Sequence, residues 1–156
     1  MSPSRSRKCN FCGIKKPLDE FDLSKSNSRQ CNTCKSERRN DRISSNPLNY
    51  IQNLYVQLRY VRKKQGIPWE ITPQQLYKLY AEQEGKCALT GQELTFKRSS
   101  EEEYDFNISI DRIDPTVGYY IENIQLIAKS VNFLKHDLPQ EKFIKLIKLI
   151  YNNTNG

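Results

Sequence analysis

"ISIDRIDPTVGYYIENIQLIAKSVNFLKHDL", residues 108–138, decides how the rest of the chain is read. Ser109, Ile110 and Asp111 alternate in polarity and, with Arg112 and Ile113, read as the end of a short strand. An acid, a base and a second acid lead into a turn at Pro115. A second apolar run and a helical stretch follow, so the pattern is strand, turn, strand, helix.

Just upstream, "GKCALTGQELTF" (85–96) reads as a hairpin turning at Thr90-Gly91, and "KRSSEEEYDFN" (97–107) as a polar loop with Glu101, Glu102 and Glu103 together. Cys87 has no local partner and reads as a buried thiol. Downstream, Pro139 starts a last helix with Phe143, Ile144, Ile147, Ile150 and Tyr151 on one face. Further upstream lie two helices with their own start and stop signals. Asn46 caps the first, Pro47 occupies its first turn and Gly66 ends it. Leu48, Ile51, Leu54, Tyr55, Leu58 and Val61 (or Arg62) form its apolar face. Thr72 and Gln75 form a capping box for the second helix, with Pro73 in its first turn and Gly85 as its stop. Leu76, Tyr77, Leu79 and Tyr80 read as core. Arg59, Arg62, Lys63 and Lys64 crowd the end of the first of these helices, where cations complement the helix dipole or extend a nucleic-acid surface.

The front of the chain follows a different logic. "KCNFCGIKKPLDEFDLSKSNSRQCNTCK" carries Cys9, Cys12, Cys31 and Cys34 as two C-x2-C pairs separated by eighteen residues. Two such pairs supply the tetrahedron of thiolates that structural zinc takes, and all four positions are then filled by protein. Gly13 permits the turn that follows the first pair. Ile14, Leu18, Phe21 and Leu23 are too few to hold this segment folded, so the metal is expected to supply most of its stability. Lys35, Arg38, Arg39 and Arg42 then recur at helical spacing, as a solvated face or one that contacts phosphates.

Charge is distributed unevenly. Residues 1–46 hold 11 Lys/Arg against 5 Asp/Glu, residues 47–84 hold 5 against 3, and residues 85–156 hold 9 against 10. A basic arm joined to a near-neutral unit suits a polyanionic partner. No run of about 18 apolar residues is present, and "MSPSRSRKCN" has no apolar segment of the kind a secretory signal needs. Five cysteines without such a signal favour reduced thiols and metal binding over disulfides. Together these point to a cytoplasmic protein.

The chain resembles the HNH endonucleases, the ββα-metal nucleases of phages and mobile elements, along "GKCALTG", "SIDRID…GYYIENIQLI" and "VNFLK". Zinc knuckles like "CNFCGIKKPLDEF…CNTC" resemble those that precede such units, so the likeness touches residues 8–36 and roughly 68–150. The resemblance implies that Asp111 is the strand-borne metal ligand. It implies that Asn123 braces the loop through backbone hydrogen bonds, and that Asn132 is the ligand on the helix. His136, four residues on and the only histidine, is implied as a second helix ligand on the same face. Arg112 stands where the family usually has a histidine as general base, and an arginine cannot accept a proton. Three readings stay open: Arg112 clamps the scissile phosphate, His136 or Asp114 acts as base, or the site only binds DNA.

Asp and Asn oxygens are hard ligands suited to Mg²⁺, and a carboxylate beside a phosphodiester requires a bridging cation. By themselves the same residues also read as a surface ion pair followed by an Asp114-Pro115 turn. The expected architecture is α+β: a zinc-knuckle module and basic helix (1–46), a helical connector (47–84) and a ββα-metal domain with flanking helices (85–156). The expected function is metal-dependent hydrolysis of double-stranded DNA, of phage or homing type. It would use structural Zn²⁺ and a catalytic Mg²⁺ or similar ion on Asp111, Asn132 and His136. The alternative is a non-catalytic zinc-containing DNA-binding protein that keeps the frame.

Overall fold

Backbone pairing near each cysteine and each strand end sets the architecture. The computed structural model describes residues 5–22, 24, 28–97 and 106–154. Leu23 and Glu101, Glu102 and Glu103 therefore lie outside the described residues. The chain is α+β and divides into two units, Met1–Ile43 and Ser44–Gly156. The two helices expected as a separate connector belong to the second unit, with the strands.

In the first unit, β1 (Ser6–Lys8) pairs antiparallel with β2 (Lys15–Pro17). The turn between them carries the first cysteine pair. Gly13 has φ 73 and donates its N–H to Cys9 O at 2.9 Å, a conformation that costs glycine little. Helix α1 (Asn32–Ile43) starts beside the second pair, with Lys35 N–H donating to Cys31 O. The core here consists of Cys9, Phe21, Cys31 and Cys34. Ile14 is exposed and Leu18 only half-buried, so Phe21 is the one large apolar side chain of the expected set to be buried among the described residues.

In the second unit, α2 (Pro47–Lys64) begins with Asn46 Oδ1 accepting from Asn49 N–H at 2.8 Å. Helix α3 (Pro73–Glu82) carries both halves of the Thr72–Gln75 capping box, and Gly85, at φ 71, closes it by donating to Tyr80 O. Ile51 and Leu76 are fully buried, each contributing roughly 1.5–3 kcal/mol by removal from water. The expected apolar face of α2 is only partly used, because Leu48 and Val61 stay exposed while Tyr50 is buried.

Strand β3 (Ile108–Arg112) pairs antiparallel with β4 (Ile124–Ala128), with Asp111 opposite Gln125. Every residue of β4 is buried. Its outer edge is covered by polar mimics of a strand. The Gln83 side chain accepts from Leu126 N–H and donates to Leu126 O, and Ala88 N–H donates to that same carbonyl. The expected 85–96 hairpin is a tight turn joined by one isolated bridge, Lys86 to Glu93. Cys87 is buried, and its Sγ accepts from Ala128 N–H at 3.4 Å. Burial pushes its thiol up, but the Thr90 hydroxyl and the amides of Ala128, Leu89 and Thr90 outweigh that and hold it below the usual value. Asn107 Oδ1 accepts from Lys97 N–H at 2.8 Å and its Nδ2 donates to Lys97 O at 2.7 Å. Helix α4 (Lys129–Lys135) follows β4 directly and packs on both strands, and α5 (Gln140–Thr154) is the last described element.

Gly118 explains why the 113–120 loop takes its path. A Cβ there would meet Pro68 O at 2.7 Å and Pro68 Cβ at 2.8 Å. Tyr119 N–H donates to Pro68 O, and Glu70 N–H to Tyr119 O, so segment 68–70 runs alongside the loop. Gly118→Ala is expected to destabilise the second unit by about 1–3 kcal/mol, as overpacking of a close approach does. Urea denaturation of the purified variant measures it.

Candidate active site and cysteine cluster

The four thiol sulfurs of Cys9, Cys12, Cys31 and Cys34 all lie within 4.8 Å of one another. Cys12 is exposed and the other three are buried. Cys9 Sγ accepts from Phe11 N–H and Cys31 N–H, each at 3.4 Å. The Cys31 amide above all, then that of Cys12, brings the Cys9 thiol down to about 6. Burial pushes the Cys34 thiol up to about 12, so it resists ionising without a cation. Sulfur donors on two knuckles, gathered this closely, fit a tetrahedral metal ion.

Helix α1 presents Lys35, Arg38, Arg39 and Arg42, which with Gln30 line an open groove of about 570 Å³. Arg38 lies over the exposed Phe11 ring, 5.3 Å from its centroid, and Lys35 pairs with Asp22 at 3.2 Å. Gln30 Nε2 is buried without an acceptor among the described residues. In the second unit Arg59, Lys63 and Lys64 are exposed, whereas Arg62 is half-buried. Its Nε donates to Tyr119 Oη at 3.1 Å and its Nη1 to Gln65 Oε1 at 2.7 Å.

The strand-loop-strand-helix unit is organised by Asn123. Its Oδ1 accepts from Asp114 N–H at 2.9 Å, and its Nδ2 donates to Asp114 O and Gly118 O, each at 3.0 Å. Asp114 Oδ1 accepts from Thr116 N–H and from the Thr116 hydroxyl, at 2.8 and 2.6 Å. The hydroxyl first, then the amide, holds the Asp114 carboxyl below the usual carboxylate range, making it a poor proton acceptor near neutral pH.

Arg112 ends β3 and is half-buried. Its Nη1 donates to Val117 O at 3.0 Å, and its guanidinium lies 5.3 Å from the Tyr119 ring centroid. The rest of the fork has no protein acceptor among the described residues. Tyr119 is buried, held by Arg62 and by the Trp69 ring 4.4 Å away, with Tyr55 behind Trp69 at 5.6 Å. Tyr119, Trp69 and this role of Arg62 escape the sequence reading. The signal available was Gly118, whose missing side chain lets the 68–70 segment approach.

The structure does not bring Asp111, Asn132 and His136 together as one ligand set. Asp111 is 4% exposed; its Oδ1 accepts from Lys135 Nζ at 3.0 Å and its Oδ2 from Gln125 Nε2 at 2.8 Å. Asn132 Nδ2 donates to Ser109 Oγ at 2.7 Å, two residues back along β3. His136 was expected on the helix face of Asn132, but α4 ends at Lys135 and His136 adopts φ 48, ψ −126. That conformation takes its side chain off the helix face, where it is 78% exposed and 3.1 Å from Asp137. The donors therefore do not fit a divalent ion held by those three residues. Lys135, on the helix face that reaches Asp111, takes the place expected for His136.

No family model and no curated protein matches the chain. A solved structure that it resembles is the rare-cutting HNH restriction endonuclease PacI, 18% identical over 94% of each chain, with a TM-score of 0.46.

Asn123→Ala removes an acceptor and two donor contacts from one loop. The Asp114 amide is expected to exchange with solvent at least about tenfold faster, since each lost hydrogen bond is worth about 1 kcal/mol. Hydrogen exchange with residue resolution checks it, and the amides of β4 should be less affected.

Proposed function

We propose that this chain is a DNA endonuclease of the ββα type, hydrolysing phosphodiesters at the end of β3. The observation that carries the reading is the Asn123 carboxamide, which ties Asp114 and Gly118 so that the Arg112 fork emerges from a braced loop. The order of motif elements in residues 108–138 points the same way.

Each residue has a part that its own chemistry supports. Arg112 orients the scissile phosphate and stabilises charge that builds on it in the transition state, with N–H donors still available. Tyr119 holds the arginine in place and keeps its flexible stem from wandering. Arg62, steadied on the Tyr119 hydroxyl, adds positive charge to the same face. The basic groove of α1 and the exposed Arg59, Lys63 and Lys64 contact backbone phosphates, the term that dominates affinity for duplex DNA. The four cysteines would hold Zn²⁺, which supplies the cross-link that the thin core of the first unit lacks. A divalent ion such as Mg²⁺ belongs to the chemistry of HNH nucleases, but here Asp111 is already paired with Lys135 and Gln125, and His136 stands off the helix face.

Three observations favour a second reading, a zinc-containing protein that binds DNA without cutting it. Asp111 is engaged by Lys135 and Gln125, Asp114 is a weak base, and His136 stands exposed beyond the end of α4.

Cleavage separates the two. Supercoiled plasmid incubated with the protein and Mg²⁺ or Mn²⁺ is expected to yield nicked or linear product, and Arg112→Ala to slow this by about 10²-fold. A gel-shift of the same DNA with no product under any cation would establish the binding-only reading. Metal content provides a second check. Protein purified without chelator is expected to carry zinc, and stripping it should unfold residues 8–36, read as loss of amide dispersion there. Absence of zinc on elemental analysis would refute that assignment.

A further inference from the structure

Lys135 is fully buried, although a lysine ordinarily keeps its ammonium in water. Its Nζ donates to Asp111 Oδ1 at 3.0 Å and to Arg112 O at 2.7 Å. Asp111 is buried too, and its other oxygen accepts from a neutral amide, Gln125 Nε2. Among the described residues, Lys135 is the only cation in an ion pair with Asp111. Arg112, next in sequence, sends its guanidinium to Val117 O and the Tyr119 ring instead. Each buried charge therefore depends on the other, since either one alone would carry the full cost of leaving water.

We propose that Lys135 is the resident cation of this centre: it neutralises Asp111, and the native chain binds no divalent ion on that carboxylate. A divalent ion added to Asp111 would share one negative charge with an ammonium already 3.0 Å away. It would also have to displace a fully buried ammonium from the only ion pair it makes among the described residues. Asp111 and Lys135 are then positioning residues. Through the bond from Nζ to Arg112 O they fix the strand end from which Arg112 projects. The inference deepens the reading of the same centre, and rests on it only for the role of Arg112.

The test measures cation binding and folding without DNA, so its outcome is independent of whether the protein cuts. Zinc-loaded native protein, Lys135→Met and the double variant Asp111→Asn/Lys135→Met are titrated with Mn²⁺, with free Mn²⁺ read by electron paramagnetic resonance. Thermal unfolding is followed with and without Mn²⁺. Native protein and the double variant are expected to give the same isotherm. Lys135→Met, left with an uncompensated buried carboxylate, should bind Mn²⁺ at least about tenfold more tightly than either. Its Tm should rise with Mn²⁺ while the other two stay unchanged. A lysine with a merely structural role would lower Tm on replacement without creating a cation site, and that result overturns the proposal. So does a native Mn²⁺ site that the double variant lacks. If Lys135→Met fails to fold, native protein against the double variant still decides: equal isotherms support the proposal, and loss of a site in the double variant refutes it.

Discussion

The second unit depends on a single carboxamide. Asn123 spends its acceptor and both donors on the backbone of the loop that separates β3 from β4. Most side-chain hydrogen bonds contribute little on net, because water offers the same partners to the unfolded chain. Here one side chain, at the end of the loop, satisfies backbone groups near its start and at its middle, and its value lies in geometry more than in energy. The loop can follow only one path, and that path lays Tyr119 beneath Arg112 and Gly118 against Pro68. Remove the brace and the aromatic support, the close backbone approach and the arginine fork all lose their reference point.

The two units are stabilised by different physics. In the second, enclosed side chains such as Ile51, Leu76, Leu126 and Ile127 provide the usual hydrophobic driving force. In the first, three of the four core members are cysteines. A shell that thin cannot offset the conformational entropy of ordering its loops. Its thiols also have opposed tendencies, Cys9 ionising readily and Cys34 resisting, until a cation makes four thiolates compatible.

Local rules were legible where a short motif has one physical meaning. The two cysteine pairs, the Asn46 cap, the Thr72–Gln75 box and the strand-turn-strand-helix order of 108–138 all correspond to elements of the structure. Legibility failed where an outcome depends on a helix end or on packing between distant segments. Periodicity alone could not reveal that α4 stops at Lys135, so His136 was placed on a face that it never joins. Burial of Lys135 contradicts the ordinary preference of lysine, and only its three-residue spacing from Asn132 hinted that it looks toward the same strand. The aromatic stack of Tyr55, Trp69 and Tyr119 joins three separate stretches, which no local pattern records. The last helix shows the converse. Its expected apolar face exists, yet among those residues only Phe143 is buried.

That last helix is tied to the centre by one residue. Gln125 uses one amide hydrogen on Asp111 Oδ2 and the other on Gln140 Oε1, at 2.8 and 2.6 Å, while Gln140 N–H donates to Ile113 O. Gln140 is the first residue of α5. The C-terminal helix is thus mechanically in series with the buried carboxylate, like a handle fixed to a lock. Loss of its first turn would leave a Gln125 hydrogen without its acceptor directly beside Asp111. Residues far along the sequence from the strand thereby acquire leverage over it, and the chain's tail becomes a place from which the centre can be loosened or held.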